Sequence, residues 1–212
     1  MTSESTSARP YRSSLRAQQA EHTRMLIARA ARERFVAQGW SGTTVRSVAE
    51  SAGVSEATVY ATFGNKSGLA IALIDSADSQ ADIARVSAEL EAGAGDPAAQ
   101  LRAMVGFDRR LFELSGDVIR IILEGRRQND ALDSAYREGR GRGDAIRREV
   151  FGSWPATTWR SGVDTTRALD IFAVMCSFET FDILRRERDW DADRIESWWY
   201  STLCELLFRP PS

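Results

Sequence analysis

Gly53 lies between two short runs of helical periodicity, and no other feature constrains the fold of this chain as tightly. Before it, Val45, Val48, Ala49 and Ala52 recur at i, i+3, i+4 and i+7, the apolar stripe of a helix that Thr43 is placed to cap. After it, Ser55 is positioned as the N-cap of a second helix reaching about Phe63. A glycine between them adopts the left-handed backbone of a tight turn at little steric cost. Two short helices joined in this way are a helix-turn-helix, an arrangement that lays its second helix in the DNA major groove.

The second helix has the residue types for that task. Val54, Val59 and Phe63 are assigned inward, which leaves Ser55, Ala57, Thr58, Tyr60 and Thr62 toward DNA. Such short side chains let a helix approach the groove closely, with methyls for thymine and hydroxyls for phosphates or base edges. Arg46 on the preceding helix suits a bidentate contact to guanine, and Thr44 at that helix's start suits a phosphate. Asn65 is a cap for a further helix beginning at Lys66, where the ammonium and the helix N-terminus both favour a phosphate oxygen.

Lys66 is the only lysine among 28 basic residues, and charge is unevenly distributed around it. Residues 1–66 carry nine basic and five acidic side chains, a balance of +4; the other 146 residues hold 19 basic and 25 acidic groups, a balance of −6. The net charge of −2 therefore conceals a basic N-terminal module on an acidic body, which fits a nucleic-acid partner.

The rest of the chain reads as helix. Ile27, Ala31 and Phe35 form a stripe on a first helix from Ala17 to Gln38, which Gly39 ends; residues 1–16 are expected to be a disordered tail whose arginines could reach a minor groove. The helix from Lys66 is expected to continue through Leu69, Leu73, Ile83, Val86 and Leu90. Asp96-Pro97 starts another, running to Leu114, where Ser115-Gly116 is expected to interrupt it before a helix over Asp117–Arg127. A helix from about Ala131 should be softened by Gly139, Gly141 and Gly143; two long helices, Asp164–Arg188 and Ala192–Phe208, follow a loop at Gly152–Val163. The fold class is all-α with about nine helices: a tail (1–16), a helix-turn-helix domain (17–66), and a helical ligand-binding and dimerisation domain (67–212).

Gly53-Val54-Ser55-Glu56-Ala57-Thr58-Val59-Tyr60, then Phe63, Asn65-Lys66 and Leu69, preceded by Phe35, Gly39 and Thr44, resembles the N-terminal domain of the tetracycline-repressor (TetR) family of bacterial transcriptional regulators. The resemblance covers about residues 22–70; Ala57 stands where many members have Gly, and Ala28 where a larger aliphatic is common. It implies nine helices, a three-helix DNA-binding domain, a fourth helix linking it to a ligand-binding domain, and a homodimer formed through the last two helices.

Beyond residue 70 the candidates rest on helical spacing alone. Ile171, Met175 and Phe178, with Ile195, Trp198, Trp199, Thr202, Leu203 and Leu206, make apolar stripes on the last two helices; Met175 and the six on the final helix are the candidate dimer interface. Met104, Phe107, Leu111, Ile122, Tyr136, Phe172, Phe178 and Glu179 are candidates for a ligand pocket, although ordinary core is the commoner role for such residues. Cys176 and Cys204 read as small core residues. The single histidine, His22, has no catalytic partners, and no phosphate loop, metal-ligand spacing or nucleophile elbow occurs, so no enzyme activity, metal or cofactor is expected. With no apolar run of membrane-spanning length and no hydrophobic leader, a cytoplasmic location is expected. The sequence thus points to a homodimeric DNA-binding regulator acting on a palindromic operator, a repressor released by a small molecule; a helical binding protein or enzyme that has lost DNA binding, and an activator without an inducer, are the alternatives.

Overall fold

The structure, a computed structural model, describes residues 9–80 and 82–210. Its chain divides into two compact units, one reaching Leu73 and the other beginning at Ile74. All regular structure among the described residues is helical: ten α-helices, two 3-10 turns, and a single isolated bridge between Trp159 and Phe208.

The N-terminal unit opens with α1 (Arg9–Gly42). This helix begins within the stretch assigned to a disordered tail. Pro10 in its first turn is compatible with helix initiation, because the missing N–H is one that the first turn leaves unbonded. The tail's residues 1–8 lie outside the described residues. Gly39, at φ 69° and ψ 179°, breaks the helix as its sequence position suggests, and the chain then makes one more turn. Ile27, Ala31 and Phe35 are fully buried, and Trp40 stacks on Phe35 with ring centroids 5.6 Å apart.

α2 (Val45–Ala52) is capped by Thr44, not Thr43. Thr44 Oγ1 accepts from the Ser47 amide at 3.0 Å and Ser47 Oγ accepts from the Thr44 amide at 3.1 Å, a reciprocal cap. Thr43 is buried instead and its hydroxyl donates to the Gly39 carbonyl at 2.9 Å, tying off the break near the end of α1. Gly53 occupies the left-handed region (φ 68°, ψ 31°), and the Val54 amide donates back to the Ala49 carbonyl. α3 (Glu56–Phe63) is capped by Ser55, whose Oγ accepts from the Thr58 amide. α4 (Lys66–Gln80) is capped by Asn65, whose Oδ1 accepts from the Gly68 amide at 2.9 Å. Gly68 has no substitute: a Cβ there would lie 1.9 Å from the Phe63 carbonyl oxygen.

Leu69, Ala70 and Leu73 of α4 are buried within the N-terminal unit, so the division between units falls inside this helix and not ahead of Ser67. The expected continuation of α4 through Leu90 also ends earlier. Asp82, at a positive φ of 63°, caps a separate helix α5 (Ile83–Ala92) through the Arg85 amide.

In the second unit α6 (Pro97–Gly125) is the central helix, packed against α5, α7 (Asp130–Gly152), α9 (Phe178–Arg186) and α10 (Ala192–Leu207). Its cap is Asp96 with Pro97 in the first turn. The interruption expected at Ser115-Gly116 does not occur. Both residues are buried, and a Cβ on Gly116 would stand 2.9 Å from the Phe178 ring, so the small pair lets α9 approach an unbroken helix. The long helix expected over Asp164–Arg188 is broken instead, into α8 (Thr165–Met175) and α9, where Ser177 caps a new start through the Thr180 amide. An aromatic core of Phe151, Trp154, Trp159, Phe172, Phe181 and Trp199 fills the unit. Buried Gln100 accepts from Trp154 Nε1 at 2.7 Å and donates to the Leu90 carbonyl.

Candidate nucleic-acid interface and ligand cavity

On α3 the exposed residues are Glu56, Ala57, Tyr60 and Ala61, with Ser55 exposed at its cap, and Val59 is the buried anchor. Exposure thus falls on one face, at i, i+1, i+4 and i+5. Thr58 and Thr62, expected to face outward, are only half-exposed and border a recess with Arg16, Gln19, Ala20, Thr23 and Arg24 of α1. Thr62 Oγ1 donates to the Thr58 carbonyl at 2.7 Å. Ala61 was missed by the sequence reading, although its i+4 relation to Ala57 signals it.

Arg46 is exposed on α2 and its Nε pairs with Glu50 at 3.0 Å. Any base contact must compete with that carboxylate. Thr44, exposed, uses its hydroxyl oxygen as the cap acceptor and keeps its own proton to donate. Lys66 is half-buried: its ammonium donates to the Trp40 carbonyl and lies 4.4 Å from the centroid of the Trp40 ring. The side chain expected to reach a phosphate therefore also ties the start of α4 to the end of α1.

Seven of the eight pocket candidates meet around one cavity of about 380 Å³ inside the second unit. Met104, Phe107, Leu111 and Ile122 come from α6, Tyr136 from α7, Phe172 from α8 and Phe178 from α9. Helical spacing brings them together because each sits on the inner stripe of its own helix. Glu179 is the exception: it is exposed and lines no part of the cavity. Its place is taken by Asp108, which the sequence reading missed.

Asp108 is fully buried in the cavity wall, and both carboxylate oxygens accept from Arg147 Nη2, at 2.6 and 2.7 Å. Burial pushes the Asp108 carboxyl above its ordinary value against the pull of Arg147. Removing one partner of a pair buried in this way costs about 3–5 kcal/mol. Arg147 also lies over the Phe172 ring, 4.8 Å from its centroid. Cys176 lines the same cavity, and burial raises its thiol well above the usual value. No cluster of His, Cys, Asp or Glu among the described residues has the arrangement to hold a metal ion.

The proposed interface stripe on α10 divides in two. Ile195, Trp199 and Leu203 are fully buried in the unit's own core, so they are not partner-facing. Trp198 and Leu206 are exposed; Met175 and Thr202 are half-buried. Two residues outside the sequence list join the exposed apolar set, Val174 on α8 at 71% and Ile183 on α9 at 48%.

Residues 27–73 match the family described as bacterial regulatory proteins, tetR family. No curated protein matches the chain. Among solved structures, NalD of Pseudomonas aeruginosa, the secondary repressor of the MexAB-OprM multidrug efflux pump, is similar at TM-score 0.70 and 20% identity over 90% of this chain and 98% of that one. FadR of Bacillus subtilis, a transcriptional regulator solved with stearoyl-CoA, gives 0.68 and 20% over 85% and 97%. A protein from Saccharomonospora viridis solved in complex with choline gives 0.73 and 15% over 90% and 100%. No described helix is long and apolar enough to cross a membrane.

Proposed function

We propose, from a chain whose residues 27–73 match the tetR-family N-terminal domain, that it is a DNA-binding transcriptional repressor acting as a homodimer in the cytoplasm. The carrying observation is the helix-turn-helix itself, with both caps in place, Gly53 in the left-handed turn and α3 presenting one exposed face on which small and aromatic side chains stand beside Glu56. Ala57, Tyr60 and Ala61 supply methyls and a phenol to the major groove, with Ser55, Thr58 and Thr62 at its margin. Arg46 reads a base, while Thr44 and Lys66 serve the phosphates. The exposed Val174, Ile183, Trp198 and Leu206 supply a two-fold contact that pairs two such helices on a palindromic operator.

A small molecule in the α5–α9 cavity releases the DNA by linkage. A ligand that binds better to a dimer whose recognition helices are wrongly spaced lowers affinity for half-sites about 34–36 Å apart, or a multiple of that. The related structures hold ligands as unlike as choline and stearoyl-CoA, so the ligand class has to be read from this cavity. Footprinting of the purified protein on the DNA flanking its own gene, with and without a metabolite panel, tests the reading. A protected palindrome that one metabolite abolishes is the expected result. Absence of protection at any salt concentration sinks the DNA-binding assignment, and protection that no metabolite alters sinks ligand release.

A further inference from the structure

The charge of the cavity wall and the occupancy of its aromatic rings together limit what it can hold. Five charged side chains line it: Asp108 and Asp144 against Arg140, Arg142 and Arg147, with all three bases on α7. The one deeply buried acid, Asp108, already has both oxygens engaged by a single nitrogen of Arg147. What the wall has left over is a donor. Arg147 Nη1 stands 3.6 Å from Asp144, beyond hydrogen-bond distance, while Nε, shut off behind it, has no acceptor among the described residues. Guanidinium carries five N–H groups in a fixed fork, and a second acceptor can be added without disturbing the first.

The rings argue the same way. A cation is welcomed by aromatic faces, but three of those lining the cavity already carry arginines of the chain: Arg126 over Tyr136 at 4.1 Å, Arg147 over Phe172 at 4.8 Å and Arg120 over Phe178 at 5.7 Å. Phe112 makes T-shaped contacts with Phe178 and Trp199. A quaternary or primary ammonium would find the one buried carboxylate neutralised and three of the five lining rings already paired with arginines. The remaining wall is aliphatic and aromatic, and a volume of about 380 Å³ is at the small end for ligand sites, which run from about 300 to 1,000 Å³.

We infer that the ligand is a compact apolar carboxylate, its body against α5, α6 and α8 and its anionic head on Arg147. Gly143 makes the head site: a Cβ there would stand 2.6 Å from Arg147 Nη1, so the missing side chain is the space the guanidinium occupies. The inference rests on the reading of this cavity as the ligand site.

The test is binding of matched probes to the full chain by calorimetry: octanoate, octanol and octylammonium, and the same three heads on a 4-phenylbutyl body. Each carboxylate is expected to bind at least tenfold tighter than its alcohol, and each ammonium more weakly than the alcohol. In the neutral pair Asp108→Asn with Arg147→Gln the carboxylate preference falls to within twofold of the alcohol, whose own affinity holds. Should that double variant fail to fold, Gly143→Ala, which keeps the buried pair and crowds Arg147 Nη1, asks the same question: it is expected to weaken the probe carboxylates several-fold more than the alcohols, and equal weakening of both overturns the assignment of the head to Arg147. An alcohol or ammonium that equals or exceeds its carboxylate overturns the anion assignment while the cavity stands as a binding site. If none of the six probes binds, the cavity is no ligand site and both readings fall.

Discussion

Arg46 and Lys66, both assigned to DNA from the sequence, are held in opposite ways. Arg46 projects into solvent, paired with Glu50 and within the field of Glu56, so its replacement leaves the unit intact. Arg46→Ala is expected to relax selectivity at one operator position, worth about 1–3 kcal/mol, in a binding selection from randomised sites. Uniform weakening across all sequences would instead make it a phosphate contact. Lys66 has a second commitment, to the carbonyl and ring of Trp40, 26 positions earlier in the chain. Lys66→Met should therefore do two things: lower the stability by about 1 kcal/mol through the lost Trp40 contacts, and take about one unit from the slope of log affinity against log salt. A lower melting temperature with an unchanged slope confines the residue to Trp40. The outward position of Arg46 was legible because periodicity reports faces. The partner of Lys66 was not, because nothing local in the sequence links it to a tryptophan that distant.

At the level of elements, caps were more legible than breaks. Ser55, Asn65 and Asp96 act on amides two or three residues away, a distance over which sequence alone carries the geometry. Ser115-Gly116 and Cys176-Ser177 were misread in opposite senses, because tertiary packing decides there: Phe178 needs the small pair inside a continuous α6, whereas Ser177 turns a continuous apolar stripe into two helices. The glycines of α7 show the same dependence. The helix runs unbroken through all three, and Gly139 and Gly143, one turn apart, line the cavity while Gly141 faces open space. Gly141→Ala should raise stability by about 0.5–1 kcal/mol in denaturant melts and leave ligand binding alone. Gly143→Ala gains the same helix propensity but crowds Arg147 Nη1, and should weaken ligand response. Equal ligand response in the two variants would remove Gly143 from the site.

For the whole molecule, charge segregation and helical spacing made a basic N-terminal segment and a helical remainder legible, and seven of the eight pocket candidates chosen from stripes alone line the cavity. Asp108 was invisible because an aspartate in an amphipathic helix ordinarily faces water, and only a partner on α7, 39 positions away, makes its burial tolerable. The stripe on α10 was legible as apolar but not as to which half serves the core. Pairing should therefore respond to the exposed set: Val174→Glu with Ile183→Glu is expected to convert a dimer to a folded monomer in light scattering and to abolish operator binding, whereas a dimer that persists would place the contact elsewhere. The position of the unit boundary has a practical corollary for dissecting the protein. Leu69, Ala70 and Leu73 complete the N-terminal core although they belong to α4, and each buried leucine stabilises by about 1.5–3 kcal/mol. A fragment cut after Lys66 is expected to show no cooperative melt by circular dichroism, and one extended to Gln80 to melt cooperatively, so autonomy of the N-terminal unit depends on the seven residues from Ser67 to Leu73.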